Sequence, residues 1–229
     1  MISETFDLYG KNLGPLLASA VVIFVISGIV QAIAQDEGGF FLVLLATIVG
    51  LIANALYAGF VVNLVADVRR DGRRDMSAGE LISATTPVIA PLIVAAILAG
   101  IGIGIGLFLL IVPGLYLLTI WAVFAPAIVV ERTGIFGSFS RSHELVKGDG
   151  WAVFGTIVVA YLIVFVVAAI VTAIGASLSV AVLAILLIIF SVLTAPIPAL
   201  VSSILFFDLG GGQQAAAPAE QVPPAAPAA

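Results

Sequence analysis

Six apolar segments, each close to the length of a membrane-crossing helix or longer, dominate this chain. They cover residues 14–34, 40–66, 88–111, 114–130, 151–174 and 178–207, and none contains a charged residue. A bilayer core of about 30 Å needs roughly 20 apolar residues in a helix. Strands of outer-membrane barrels are alternating segments of only about 10 residues. The sequence therefore predicts an all-α, polytopic membrane protein with six transmembrane helices.

Composition leads to the same class. The chain is 62% hydrophobic and 9% charged, with a mean hydropathy of +1.31, whereas about 25% of the residues in soluble domains are charged. The few polar residues could not cover the apolar surface of a soluble fold of this size.

Several kinds of chemistry are excluded by residue counts. The chain has no cysteine and a single histidine, His143, which excludes disulfides, thiol catalysis and multi-histidine metal sites. We expect no cofactor. Only eight residues are Lys or Arg, and half of them lie in one loop, so nucleic acid is not an expected partner.

The turn between the third and fourth segments is the hardest to place. Residues 88–130 carry no charge, and the run is too long for a single crossing. Pro113 and Gly114 form the punctuation that leaves two usable lengths, and proline suits the first turn of a new helix. We predict the turn there.

All basic residues fall on one side of this six-span scheme, and the opposite side carries Asp36 and Glu37. The positive-inside rule then places both termini and both long connectors in the cytoplasm, in the cytoplasmic (inner) membrane. Cleavage of residues 1–34 after a small-residue site is the alternative for the first span, and it leaves the remaining topology unchanged. The basic residues are Lys11, Arg69, Arg70, Arg73, Arg74, Arg132, Arg141 and Lys147.

A repeated unit organises residues 1–209: a short cytoplasmic amphipathic helix, then a hairpin of two spans, used three times. Such amphipathic helices should lie in the membrane interface with the apolar face down. The tail, residues 210–229, consists mainly of Gly, Gln, Ala and Pro and is expected to be disordered. The predicted stripes are Ile2, Phe6, Tyr9 and Leu13; Leu81, Ile82 and Thr85; and Phe136, Phe139, His143 and Val146.

Local signals mark the ends of these short helices. Ser77 and Glu80 have the spacing of a capping box, and Pro87 should end the helix that follows. Lys147 suits the last turn of the third helix, and Gly148 suits the left-handed position after it.

The arginine cluster has two readings that remain open together. It is a topology determinant, or it contacts anionic lipid head groups, since each basic residue near an anionic surface contributes about 1 kcal/mol. Neighbouring Asp71 and Asp75 weaken that attraction. The cluster consists of Arg69, Arg70, Arg73 and Arg74.

Alternating glycines in the third span favour close helix packing, because residues four apart form small-xxx-small faces on two sides. A flexible segment that opens a path for a substrate is the alternative. These glycines are Gly100, Gly102, Gly104 and Gly106.

Prolines interrupt the later spans. Pro196 and Pro198 predict a kink in the sixth span, or a broken helix of the kind that lines transporter sites. Pro126 in the fourth span is the nearest partner feature. Asn54 and Asn63 in the second span predict hydrogen bonds between helices, with a narrow polar path as the alternative.

Three stretches resemble the membrane domain associated with glycerophosphoryl diester phosphodiesterases and related bacterial multi-pass inner-membrane proteins. They read LLIVPGLYLLTIWAVFAPAIVVE, FSRSHELVKGDGW and PIPALVSSILFFDL. The resemblance covers most of residues 60–209 and rests on structural motif residues. These are Pro113, Gly114, Glu131, Arg141, Glu144, Lys147, Gly148, Trp151 and Asp208.

The resemblance implies an architecture rather than an activity. In that family, hydrolysis belongs to a separate soluble domain, and this chain contains no polar region long enough to form one. We expect a non-enzymatic membrane protein that acts in envelope or lipid organisation or as a scaffold. Its expected partners are membrane lipids, with a membrane protein or a second copy as further options. A small-solute or lipid transporter is the alternative, and the membrane subunit of a phosphodiesterase-type enzyme is less favoured, because no paired acid or nucleophile–base cluster occurs.

Overall fold

The computed structural model describes residues 2–36, 39–72, 75–175 and 180–213 of the 229-residue chain. Regular structure in those ranges is helical, with no strand, as predicted. The α-helices are α1 (Ile2–Lys11), α2 (Leu13–Asp36), α3 (Phe40–Asp71), α4 (Ala78–Thr85), α5 (Ile89–Leu109), α6 (Ile111–Ile120), α7 (Phe124–Glu131), α8 (Gly134–Val146), α9 (Gly150–Gly175), α10 (Val180–Thr194) and α11 (Pro196–Asp208).

Six helical stretches in the described ranges are long and apolar enough to cross a membrane, which confirms the predicted number. Three of them are α2, α3 and α9. The other three are composite: α4 runs into α5, α6 into α7, and α10 into α11. The crossings pair as hairpins, because α2 packs on α3, α5 on α6 and α9 on α10. The chain is therefore a multi-pass membrane protein of three hairpins.

The turn between the third and fourth spans lies one helical turn earlier than predicted. Leu110 has extended backbone angles (φ −156°, ψ 136°) and separates α5 from α6, so the prediction of a turn at Pro113-Gly114 is wrong. Pro113 lies instead inside the first turn of α6, where backbone N–H groups have no intrahelical acceptor. Proline therefore marks this helix start only to within a turn.

Each amphipathic helix packs against the second helix of the hairpin before it. α4 packs on α3, α8 packs on α7, and α1 closes the circle by packing on α11. The central helices α3, α7 and α11 also contact one another. We call this end of the bundle the basic end, because the connectors and the N-terminal helix that carry the basic residues all lie there. The helices α1, α4 and α8 around it are the collar.

The tightest packing lies towards the basic end. Phe60 and Leu64 of α3, Ile128 of α7, and Leu200 and Phe206 of α11 are almost completely inaccessible. Near the opposite end, large apolar side chains such as those at positions 41 and 108 are 82% and 90% exposed. In a bilayer such side chains face lipid tails, which are as apolar as they are.

The collar helix α8 packs on the bundle mainly through small side chains. Ser138, Ser142 and Val146 are buried, whereas Phe136 is 77% exposed and His143 is also exposed. The predicted stripe is therefore not a single surface: Val146 is buried in the bundle, whereas Phe136 is exposed, as expected for a side chain directed at the membrane. Small side chains let α8 approach the bundle closely, and the large aromatic ring is left for the membrane.

Candidate functional site at two helix breaks

The fourth span is broken between α6 and α7, at residues 121–123. Pro126 has no N–H with which to reach the carbonyl of Ala122, four residues before it. The Ser202 hydroxyl of α11 donates to that carbonyl instead, at 2.7 Å. A backbone group freed by proline is thus satisfied from a neighbouring helix, as hydrocarbon surroundings require.

Ser142 of α8 bridges the same break from the other side. Its hydroxyl is completely buried; it donates to the Ile120 carbonyl at 2.8 Å and accepts the Val123 N–H at 3.1 Å. One side chain therefore supplies both missing partners of an interrupted helix. The collar helix α8 therefore stabilises the interruption between α6 and α7.

The sixth span is broken at Ala195, before Pro196. The Tyr9 hydroxyl of α1 donates to the Leu193 carbonyl at 3.1 Å. Collar helices thus contact both breaks, α8 at the fourth span and α1 at the sixth. Ala195 keeps helical backbone angles (φ −51°, ψ −38°), so the sixth span is interrupted without being unwound, as a kink would be.

A cavity of about 140 Å³ lies between the residues around these breaks. Its walls are mostly apolar, and they come from α5, both halves of the fourth span, α9 and α11. Trp121 forms part of the wall and packs against Phe139 of α8 with the rings tilted by 53° and their centroids 4.8 Å apart. The lining residues are Ile103, Leu118, Trp121, Ala122, Phe124, Ile157, Ala160, Tyr161, Pro198, Val201, Ser202 and Leu205.

A two-point ion pair joins α7 to α8 at the basic end. Arg141 Nε donates to one Glu131 carboxylate oxygen at 2.7 Å, and a terminal guanidinium nitrogen donates to the other at 3.1 Å. The side chains are only 5% and 15% exposed for Glu131 and Arg141. The Glu131 hydrogen bonds raise the pKa of the Arg141 guanidinium, so this arginine stays charged. Glu144 lies on its open side at 3.6 Å.

The first residues after the sixth span complete this pair. The Gly212 N–H donates to Glu131 at 2.8 Å. Gly210 and Gly212 have positive φ values of 84° and 80°, which favour glycine. Residues 210–213, assigned to the tail from the sequence, therefore form a turn on the bundle, and residues 214–229 lie outside the described residues.

The arginine cluster is only partly described. Arg69 forms an ion pair with Asp208 at 2.9 Å and so joins the ends of the second and sixth spans. Arg70 is exposed. Arg73 and Arg74 lie outside the described residues, so the lipid-contact prediction for the cluster stays a prediction.

The connector after the second span folds back onto it. The buried Asp67 carboxylate accepts the N–H groups of Asp75 and Met76 at 2.8 and 3.0 Å. Ser77 and Glu80 then form the predicted capping box.

A hydroxyl also fixes α4 to the second span. Asn63 donates to Thr85 Oγ1 at 3.0 Å, as predicted for a bond between helices, whereas Asn54 bonds within its own helix, to Gly50. A Cβ at Gly59 would collide with the Thr85 side chain, so this glycine allows the close approach of α3 and α4.

The glycines of the third span divide into two faces. A Cβ at Gly102 would lie 2.7 Å from the Trp121 ring, and one at Gly106 would lie 2.8 Å from Gly114 Cα. At Gly100 and Gly104 no atom lies within 4 Å of that position. Among the described residues, the face of Gly102 and Gly106 lies against another helix and that of Gly100 and Gly104 does not.

The remaining motif residues lie around the collar. Gly148 follows α8 with a φ of +111°, as predicted for the position after a helix. Lys147 and Glu144 are exposed, and Trp151, at the start of α9, is 87% exposed. The structure thus brings Glu131 to Arg141, while Asp208 meets Arg69.

Sequence reasoning missed the two serines that hold the fourth span. Pro126 was the available signal, because a carbonyl freed in hydrocarbon must find a donor. It could not identify Ser142 or Ser202 as that donor. Both lie far along the chain from the break, and serine is common in membrane helices.

The polar side chains described above form hydrogen bonds and ion pairs that fix helices to one another, and the walls of the cavity are mostly apolar. No group of three or more potential metal ligands occurs among the described residues. Comparisons with protein-family models, with curated proteins and with solved structures find no match. The resemblance to the phosphodiesterase-associated membrane domain therefore stays a prediction.

Proposed function

We propose that this chain is a non-enzymatic protein of a bacterial cytoplasmic membrane that organises lipids at its cytoplasmic face. The collar carries the proposal. Its outward apolar side chains, Phe6, Ile82 and Phe136, are 49%, 36% and 77% exposed. Side chains of this kind insert into the boundary between head groups and acyl chains. Trp151 beside them is a typical interfacial anchor.

The charge distribution supports the orientation and the class of lipid. The basic residues that the structure describes lie at the end that carries the collar, which favours a cytoplasmic basic end with both termini inside. Arg70 and Lys147 are exposed there, where anionic head groups would lie. Arg69 is less available, because it forms an ion pair with Asp208.

Retention of anionic lipid by the purified protein tests the proposal. We would replace Arg70, Arg73 and Arg74 with Gln, which preserves the Arg69–Asp208 pair, and compare lipid adducts by native mass spectrometry. The variant should lose phosphatidylglycerol adducts and keep phosphatidylcholine adducts. A matched control replaces Asn54, far from the basic end, with Gln. Equal phosphatidylglycerol retention in all three proteins would reject the head-group contact.

A transporter is the second candidate, favoured by the paired breaks in the fourth and sixth spans. Discontinuous helices at membrane depth line the binding sites of many secondary transporters. Flux in proteoliposomes that is lost when Pro196 is replaced would support it. Absence of flux over a broad panel of solutes and lipids would leave the lipid-organising proposal as the better one.

The pairing of Glu131 with Arg141 supports the proposed family membership, because two of the resemblance's motif residues meet in one contact. Phosphodiester hydrolysis by the pure protein would contradict the non-enzymatic proposal.

A further inference from the structure

We propose that the cavity between the two helix breaks binds the end of one acyl chain of a bilayer lipid. This site is separate from the head-group contact proposed for the basic end, and neither depends on the other. The argument rests on the size of the cavity, the chemistry of its walls and its position.

The cavity suits a small apolar group. An engineered protein cavity of about 150 Å³ with apolar walls stays dry and takes benzene, and this one is about 140 Å³. That volume admits the terminal part of a chain and excludes a head group.

The walls offer little to water. The Ser202 hydroxyl already donates to the Ala122 carbonyl at 2.7 Å, and an ordered water needs two to four polar partners. Tyr161 is the other lining residue with a hydroxyl, and it stands at the edge, 53% exposed. An apolar occupant therefore fits better than water or an ion.

The occupant's source is the bilayer. Tyr161 lies in the membrane-crossing helix α9, and its neighbours Leu162 and Phe165 are 55% and 69% exposed. That surface faces the hydrocarbon core of the bilayer, which consists mainly of lipid acyl chains. A chain can enter at Tyr161 without leaving the membrane.

The walls are held apart, so the cavity does not depend on its occupant. Ser142 and Ser202 keep the fourth span broken beside it. Trp121 is confined between Gly102, where even a Cβ would collide with the ring, and Phe139. Fixed walls of this kind collapse only partially around a void.

The two tryptophans of the chain make the site measurable. In a Trp151→Phe background, Trp121 is the only tryptophan, so excitation at about 295 nm selects it over the tyrosines, and it lines the cavity. The protein would be placed in bilayers of phosphatidylcholine with bromine near the end of each chain. We expect strong quenching of Trp121. Ala160→Phe, which fills the cavity from α9, should reduce that quenching by about half or more. Ala169→Phe, on the exposed face of the same helix, should leave it unchanged.

Equal quenching in the Ala160 and Ala169 variants would overturn the proposal, because it would come from lipid around the outside of the bundle. Quenching by bromine placed near the head group but not at the chain end would also overturn it. If Ala160→Phe fails to fold, Ile103→Phe fills the cavity from the opposite wall and makes the same prediction. A Trp121→Phe background, which reports Trp151 at the interface, should show no effect of filling.

Discussion

Replacement of Ser142 by Ala should be among the most costly single changes in the collar. The serine hydroxyl is completely buried and joins two groups of the broken fourth span, the Ile120 carbonyl and the Val123 N–H. Alanine has nearly the same volume as serine and a higher helix propensity, a gain that an exposed Ser→Ala control in the same helix shares. The substitution therefore removes two hydrogen bonds and little else.

The expected magnitude follows from those two bonds. Each contributes roughly 0.5–1.5 kcal/mol net, and a buried partner left unpaired costs about 1–3 kcal/mol. Hydrogen bonds within membranes average nearer 0.6 kcal/mol, since the unfolded chain finds other partners. We therefore expect a loss of about 2 kcal/mol in the free energy of unfolding, with partial recovery if the Phe124 N–H closes onto Ile120 and straightens the span.

The assay is reversible unfolding in mixed micelles with increasing dodecyl sulphate, followed by circular dichroism. Ser140→Ala is the matched control, because Ser140 lies in the same helix with its side chain exposed. A surface change of this kind should stay within about 0.5 kcal/mol of the parent. If the Ser142 and Ser140 variants unfold alike, the bridge is not a stabilising element and the account of the break is wrong.

Three further changes test other contacts by the same unfolding measurement. Gly59→Ala should cost about 1–3 kcal/mol by overpacking α3 against α4, and Thr85→Ser, which removes the colliding methyl group, should restore most of it. Ser202→Ala should cost about 1 kcal/mol. In a Pro126→Ala background that cost should shrink, because the new N–H can reach the carbonyl that the serine serves; equal costs in both backgrounds would contradict this. Glu131→Ala should cost about 3 kcal/mol, because it leaves a buried guanidinium without its carboxylate, and a cost below about 1 kcal/mol would show that the pair is effectively solvated.

The number of spans was predictable because the hydrocarbon core sets a minimum length for every crossing helix. The length of each apolar segment in the sequence can be compared with that minimum directly. The capping box at Ser77 and the left-handed Gly148 were predictable for a related reason, since each is decided by neighbours within a turn. The position of Leu110 was not, because Pro113 is tolerated anywhere in the first turn of α6. Capping and proline preferences therefore locate the end of a helix only to within about one turn.

Contacts between distant parts of the chain could not be read in this way. Asp208 is separated from Arg69 by four membrane crossings, and their pairing depends on how the hairpins assemble. No spacing rule reaches so far. The glycines of the third span show the same limit: the sequence indicated two small-residue faces, and only the assembled bundle distinguishes Gly102 from Gly100.

The division of the predicted α8 stripe between the bundle and the membrane has a more general cause. In water an apolar stripe marks the side of a helix that packs, because burial removes apolar surface from solvent. In a membrane, lipid tails accept apolar side chains as readily as the protein does, so apolarity no longer marks the packed side. Small residues do, and α8 accordingly turns Ser138 and Ser142 inward and leaves Phe136 outside.

The same reasoning explains why the collar is part of the bundle's structure. Each of its helices carries a hydroxyl that bonds to the second helix of the preceding hairpin: Thr85 to α3, Ser142 to the fourth span and Tyr9 to the sixth. A helix that only floated in the interface would need its outer apolar face and no inward polar contact. Here the inward face bonds to the central helices, which leaves the outer face for the proposed contact with the membrane.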